Sequence, residues 1–198
     1  GPVWTLTLDR PDKANALTRE MLVQLRDAAA EAEQAGIAAL ILTGTGKVFS
    51  AGADIDAARA GLATDGVWEE VSARLARLPA LTIAALNGTL AGGAFGMALA
   101  CDLRLAVPGA RFFYPVMELG FLPQPSDPAR LAALVGPARA KMILMAAQKI
   151  DAETALTWGL IDRIAAPDRL LAEALGLTTA PSAAPEHVRP RIKRMIPV

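Results

Sequence analysis

The chain of 198 residues is poor in the side chains that usually announce chemistry: it has one cysteine, one histidine and one tyrosine. A lone Cys101 forms no intrachain disulfide and builds no thiolate metal cluster, so a reducing compartment, the cytoplasm, is expected. The single His187, between Glu186 and Val188 near the end, is poorly placed for a catalytic triad or a metal site and reads as a surface residue. Charge of one sign is missing too. Twenty basic residues balance twenty acidic ones, which argues against nucleic acid or an anionic membrane as the main partner. Long hydrophobic runs are interrupted by Arg, Asp or Gly, so no membrane span is expected, and the opening residues lack the basic-then-apolar order of a signal peptide. Because Gly1-Pro2 leads straight into a strand pattern, a shortened N-terminus stays open.

What is plentiful is apolar residues, 53% of the chain against 20% charged, enough for one well-filled core. The segment VWTLTL at 3–8 alternates and ends in Asp9-Arg10-Pro11-Asp12, a strand running into a turn. Thr18 then caps a helical pattern carried by Met21, Leu22, Leu25, Ala28, Ala29 and Ala32, which Gly36 stops. A continuous apolar strand is expected over 38–42, bounded by Gly44 and Gly46. Further along, the pattern predicts a helix at 68–78, a strand at 81–86, a helix at 93–101 and a strand at 103–107. This alternation predicts an α/β protein with a largely parallel sheet, which binds ligands at the carboxyl ends of its strands. Past Pro128 the chain reads as helical, at 128–135, 138–147 and 152–158, with a last strand at 160–164. Two regions follow: a core over 1–175, then a Thr/Ala/Pro/Ser-rich linker and a basic helical segment over 176–198 that ends early or is truncated. No internal repeat of solenoid period is present.

Two turns rich in small residues follow strands. Ser50-Ala51-Gly52-Ala53-Asp54-Ile55 is the first, and Asn87-Gly88-Thr89-Leu90-Ala91-Gly92-Gly93-Ala94 the second. Small side chains expose main-chain amides, and amides from two adjacent strand ends can hold one developing oxyanion. Either turn alone is equally well a tight connection between packed elements. The remaining candidates are weak. Ser50 lacks the Gly-x-Ser-x-Gly elbow of an exposed nucleophile, Cys101 sits at an apolar helix end, and Thr43-Gly44-Thr45-Gly46-Lys47 lacks the spacing of a phosphate loop.

These two turns, with Cys101-Asp102-Leu103-Arg104, Asp9-Arg10-Pro11, Asn15-Ala16-Leu17 and the Ala155-Leu156…Trp158-Gly159-Leu160-Ile161-Asp162 stretch, resemble the crotonase (enoyl-CoA hydratase/isomerase) family over nearly the whole chain. The resemblance implies a crotonase-type repeated β-β-α spiral with mostly parallel sheets and a helical C-terminal region. It implies an acyl-CoA thioester as partner, bound with its carbonyl between the amides of Ala53 and Gly93. The CoA moiety would lie along Lys13, Ala14, Ala51, Asp54, Ile55 and Gly92, with Lys13 either a phosphate contact or a solvated turn lysine. No cofactor beyond that CoA is implied, and a homotrimer or dimer of trimers is. Four basic residues, Arg189, Arg191, Lys193 and Arg194, either touch CoA or a neighbouring subunit or form a solvated helix face.

In one respect the sequence departs from the family. The two glutamates that hydratases of the family use fall at Gly96 and Val116 here, and neither transfers a proton. Two acidic residues remain in view. Glu118 shares a side with Val116 if the segment is a strand and turns away if it is helical. Asp127, where family members usually have a glycine-rich turn, is either an acid/base or the N-cap of a helix starting at Pro128. Isomerisation or other enolate chemistry is therefore favoured over hydration. A non-catalytic acyl-CoA carrier or sensor is the alternative, and a purely structural subunit, without CoA affinity, a third.

Overall fold

The computed structural model describes residues 1–196. Strand β1 (Val3–Leu8) feeds a short 3-10 turn and then helix α1 (Arg19–Gln34), whose Thr18 hydroxyl accepts from the Met21 amide at 3.3 Å. The expected N-cap is thus in place, and Gly36, at φ +61°, ends the helical run where the pattern stops. From there the chain repeats one manoeuvre three times. A long buried strand is followed by a short one and then a helical segment: β2 (Ala39–Gly44) and β3 (Val48–Ser50) lead to α2 (Ile55–Arg59) and α3 (Val67–Arg77). Next, β4 (Leu81–Leu86) and β5 (Thr89–Ala91) lead to α4 (Phe95–Leu99), and β6 (Leu103–Ala106) and β7 (Arg111–Phe113) to α5 (Val116–Leu119). Then come α6 (Asp127–Val135), α7 (Pro137–Leu144), β8 (Ile150–Asp151), α8 (Ala152–Trp158) and β9 (Arg163–Ile164). The chain closes with α9 (Leu170–Leu177), α10 (Thr179–Ala183) and α11 (Val188–Met195).

Long and short strands go to different sheets. The first has the order β1-β2-β4-β6-β9 and the second β3-β5-β7-β8, and every pairing is parallel except β7 with β8. Each β-β-α unit therefore advances both sheets by one strand, which is the repeated spiral expected. The register of β3 on β5 pairs Val48 with Thr89 and Ser50 with Leu90, so the two small-residue turns leave neighbouring strands at matching ends. Strands β2 and β4 are buried almost throughout, with Leu40, Ile41, Leu42, Ile83 and Leu86 fully covered, as parallel strands sandwiched between layers must be.

Two expectations need correcting. The 176–185 stretch is not a linker: it completes α9 and forms α10, and the Gly1 nitrogen lies 2.6 Å from the Ser182 carbonyl oxygen, beside the first strand. The strand expected over 160–164 narrows to Arg163–Ile164, because the Leu160 and Ile161 amides are taken up by main-chain bonds to the carbonyl of Ala155 in α8. No helix among the described residues is long and apolar enough to cross a membrane.

Candidate active site

The first turn is assembled from main-chain bonds that leave one amide over. Ala51 N donates to Ala14 O (3.0 Å), Gly52 N to the Ser50 hydroxyl (3.2 Å) and Asp54 N to Leu17 O (2.9 Å). Leu17 and Ala53 form an isolated parallel bridge, in which Leu17 exchanges bonds with the residues flanking Ala53. The amide of Ala53 faces the other way and has no acceptor among the described residues. Buried Asn15 holds the approach: its amide nitrogen donates to Thr45 O and Val48 O (2.9 and 2.8 Å), and its own carbonyl accepts the Ser50 hydroxyl at 2.8 Å. Ser50 is thus a brace, with its oxygen spent inside the loop.

The second turn touches the first through bare main chain. Gly52 (φ +91°) and Gly92 (φ +55°) both adopt left-handed conformations. A β-carbon on Gly52 would lie 3.0 Å from Ala91 O and 3.4 Å from Gly92 Cα, so only glycine lets the two turns meet. Gly92–Ala94 is a single 3-10 turn, and the Gly93 amide, in its first turn, has no acceptor within that turn. Two unengaged amides, of Ala53 and Gly93, therefore follow directly upon two glycines in contact. Both residues are partly exposed. The buried Trp68 ring lies beside Gly93, 3.2 Å from where a β-carbon would project, and is fixed by its indole N–H to Leu62 O at 2.8 Å.

One turn beyond Gly93 stands Gly96, on the same face of the segment. The space its side chain would fill holds a carboxylate: a β-carbon on Gly96 would lie 3.0 Å from Oδ1 and 3.3 Å from Oδ2 of Asp127. Asp127 is fully buried. Its Oδ2 accepts the Tyr114 hydroxyl at 2.9 Å, and Oδ1 has no partner among the described residues. The Tyr114 oxygen also accepts from Gln124 N (3.4 Å), while its ring stacks on Phe95 at 5.4 Å. Burial pushes the Asp127 carboxyl up to about 7; the Tyr114 bond and the Arg130 charge oppose that rise, and the Glu69 charge adds to it. Burial and the neighbouring Asp127 likewise raise the Tyr114 phenol. Glu69 in α3, next to Trp68, accepts both the amide and the hydroxyl of Ser126, anchoring the start of α6.

The N-cap alternative for Asp127 does not hold. Ser126 takes the cap position, Asp127 is the first helical residue, and its carboxylate caps no amide. Glu118 lies in helical α5, so its side chain turns about 200° from Val116; it is exposed, while Val116 packs against the core. The proposed CoA residues share a rim. Lys13 is exposed beside Ala14, which bonds Ala51, and Ile55 is 70% exposed. Asp54 accepts from Arg10 at 2.7 Å and from the Asp56 and Ala57 amides; the Arg10 bond foremost holds its carboxyl below the usual range. Cys101 is buried, and burial drives its thiol up to about 12, so it is inert. An open depression of about 460 Å³ is lined by β1 and α1 and takes in neither Gly93 nor Asp127. No group of three metal-ligating side chains occurs among the described residues.

Tyr114, Trp68 and Glu69 carry no motif in the sequence. The clue that exists is Gly96: lacking a side chain, it leaves the room on its face of the segment that the Asp127 carboxylate occupies.

A sequence profile of the enoyl-CoA hydratase/isomerase family matches residues 1–195. YngF of Bacillus subtilis strain 168 is 40% identical over 186 residues, covering 90% of this chain and 71% of that protein. The short-chain-enoyl-CoA hydratase of Clostridium acetobutylicum is 36% identical over 178 residues, covering 86% and 68%. Among solved structures, an enoyl-CoA hydratase/isomerase from Pseudoalteromonas atlantica superposes with a TM-score of 0.89 at 30% identity, over 96% of this chain and 77% of the other. An enoyl-CoA hydratase from Bacillus anthracis superposes at 0.87 with 28% identity, over 96% and 76%. Spiral, turns and comparisons agree: the chain belongs to the crotonase, or enoyl-CoA hydratase/isomerase, family.

Proposed function

We propose that this protein moves a double bond within an acyl-CoA thioester, using the amides of Ala53 and Gly93 as an oxyanion hole and the Asp127 carboxylate as its one acid/base. The observation that carries this reading is the Asp127 carboxylate standing in the volume vacated at Gly96, one helical turn from Gly93. In the reaction, Asp127 takes a proton from C2 of a 3-enoyl thioester. The electrons pass into the thioester, and the two amides stabilise the dienolate oxygen. The protonated Asp127 then returns the same proton to C4, giving the 2-enoyl thioester and restoring the carboxylate. No electrons, water or metal are consumed, so nothing beyond the CoA of the substrate is required.

Hydration asks for more. A base and an acid must serve one water molecule at once, and Gly96 and Val116 supply neither. A carboxyl that titrates near 7 is well matched to receiving and returning a proton at neutral pH. Lys13, exposed next to Ala14, would be the cation that meets a CoA phosphate, a reading supported by its exposure.

The test is turnover of 3-enoyl-CoA and hydration of 2-enoyl-CoA by the wild type and by Asp127→Asn, with acyl-CoA binding measured by calorimetry. The expected result is isomerisation by the wild type, a loss on the order of 10²–10⁴ in kcat for Asp127→Asn, and retained binding. Binding without turnover in the wild type selects the carrier or sensor instead. Absence of binding removes the oxyanion reading, leaving the family assignment intact.

A further inference from the structure

We infer that Tyr114 is a positioning residue: by donating its hydroxyl to Oδ2 of Asp127, it leaves Oδ1 as the single oxygen from which the proton is exchanged. The inference rests on the proposed role of Asp127 and goes beyond it, to the atom and to the group that selects it. The geometry is asymmetric. Oδ2 is engaged by the phenol at 2.9 Å, whereas Oδ1 is buried without a partner among the described residues and lies the nearer of the two to Gly96. The phenol is itself held at both ends. Its ring stacks on Phe95 from α4, the segment that also carries Gly96, and its oxygen accepts the Gln124 amide from the loop entering α6. A residue fixed in this way holds the plane of the carboxylate, so that the oxygen it does not bond stays directed at Gly96 rather than turning away.

The titratable and charged groups that act on Asp127 are Tyr114 after β7, Glu69 from α3 and Arg130 from α6 itself; α4 presents the Gly96 main chain. Of these, only the tyrosine bonds the carboxylate, so its removal does two things. It frees the carboxylate to turn, which lowers kcat without touching the CoA contacts. It also withdraws a bond that favours the charged form, which moves the titration upward.

The chain has one tyrosine, so fluorotyrosine supplied during expression labels this site alone. In the labelled protein, the ¹⁹F resonance is expected to titrate with a midpoint of about 7, reporting Asp127 across the bond, and to lose that step in Asp127→Asn. Tyr114→Phe keeps the ring on Phe95. It is expected to lower kcat about tenfold or more with KM unchanged, and to move the limb of the kcat–pH profile up by about one pH unit. A flat ¹⁹F titration between about pH 5 and 9, or a Tyr114→Phe profile that coincides with the wild type, overturns the inference. If Asp127→Asn stays active, the reading of Asp127 fails; if it is inactive while Tyr114→Phe is unchanged, only the positioning role fails. The fluorine titration stands even if the phenylalanine variant does not fold.

Discussion

The polar residue at the centre of this fold is costly where it stands. Asp127 is fully buried, one carboxylate oxygen lacks a partner, and its carboxyl is raised from 3.8 to about 7. A carboxyl with a raised native pKa favours folding while it is protonated. That contribution is complete below about 4, where both folded and unfolded chains carry the proton, and is lost as pH rises through about 7. A rise of that size is worth at most about 4 kcal/mol. Asp127→Asn has no such loss, so its stability relative to the wild type should grow with pH. We expect similar melting temperatures near pH 4 and a variant more stable by several degrees or more near pH 8, given about 2–4 °C per kcal/mol for a chain of this size. Thermal melts followed by circular dichroism at both values decide it. A difference that does not vary with pH would mean that the carboxylate is solvated and the burial argument wrong. On the proposed role of Asp127, a variant that gains stability while losing turnover is the expected trade.

At the scale of elements, the decisive feature is the contact between two turns, and it rests on backbone rather than side chains. Gly52→Ala adds left-handed strain and sets a β-carbon 3.0 Å from Ala91 O, which is main chain and has little room to move. Gly61 has an even larger φ of +105° but nothing within 4 Å of the added carbon. Gly61→Ala should therefore cost only the conformational penalty, about 1–2 kcal/mol. Gly52→Ala should cost more and weaken acyl-CoA binding as well. Urea unfolding with calorimetry on both variants tests this; equal losses would show that the turns do not meet as described. The same contrast explains what could be read from the chain beforehand. Six-residue strands and the sixteen-residue α1 carry enough period and capping to be legible. The second sheet was not, although it aims both turns, because strands of two or three residues have no period to detect. Helix α10 hid behind a Pro-containing composition: Pro181 falls in its first turn, where a missing amide hydrogen breaks no helical bond. Of the site, the two amides were visible as small-residue turns. The buried placement of Asp127 was veiled by a Ser-Asp-Pro sequence that suits a cap equally well, since only the packing of α4 on α6 tells which way the carboxylate points.

Across the whole molecule, polar groups fasten distant parts of the chain to the first sheet, and they differ in how deeply they are set. Arg104, 4% exposed on β6, donates to the carbonyls of Cys101 (2.7 Å) and Leu160 (2.9 Å), while its own amide donates to Asp162 at 2.7 Å. It thereby joins the end of α4 to the segment between α8 and β9. Lys193 on α11 reaches back 91 residues to Asp102 at 2.8 Å and also donates to Ala80 O at 3.0 Å, with about a fifth of each charged side chain exposed. Asp102 is not dependent on it, because the Thr82 amide and hydroxyl serve the same oxygen at 2.8 and 3.0 Å. Removing the lysine therefore withdraws one donor, from the Ala80 carbonyl, whereas removing the arginine withdraws the donors to the carbonyls of Leu160, Ala98, Cys101 and Asp102. Arg104→Met should lower global stability by about 3 kcal/mol or more, the range for breaking a buried charged network. Lys193→Met should cost about 1 kcal/mol or less, confined to α11. Hydrogen exchange distinguishes the two. In Lys193→Met, amides over 188–195 should exchange faster while those of β4 and β6 keep their protection; in Arg104→Met, protection should fall throughout both sheets. Uniform loss of protection in Lys193→Met would mean that α11 is part of the cooperative core rather than a helix pinned to its edge.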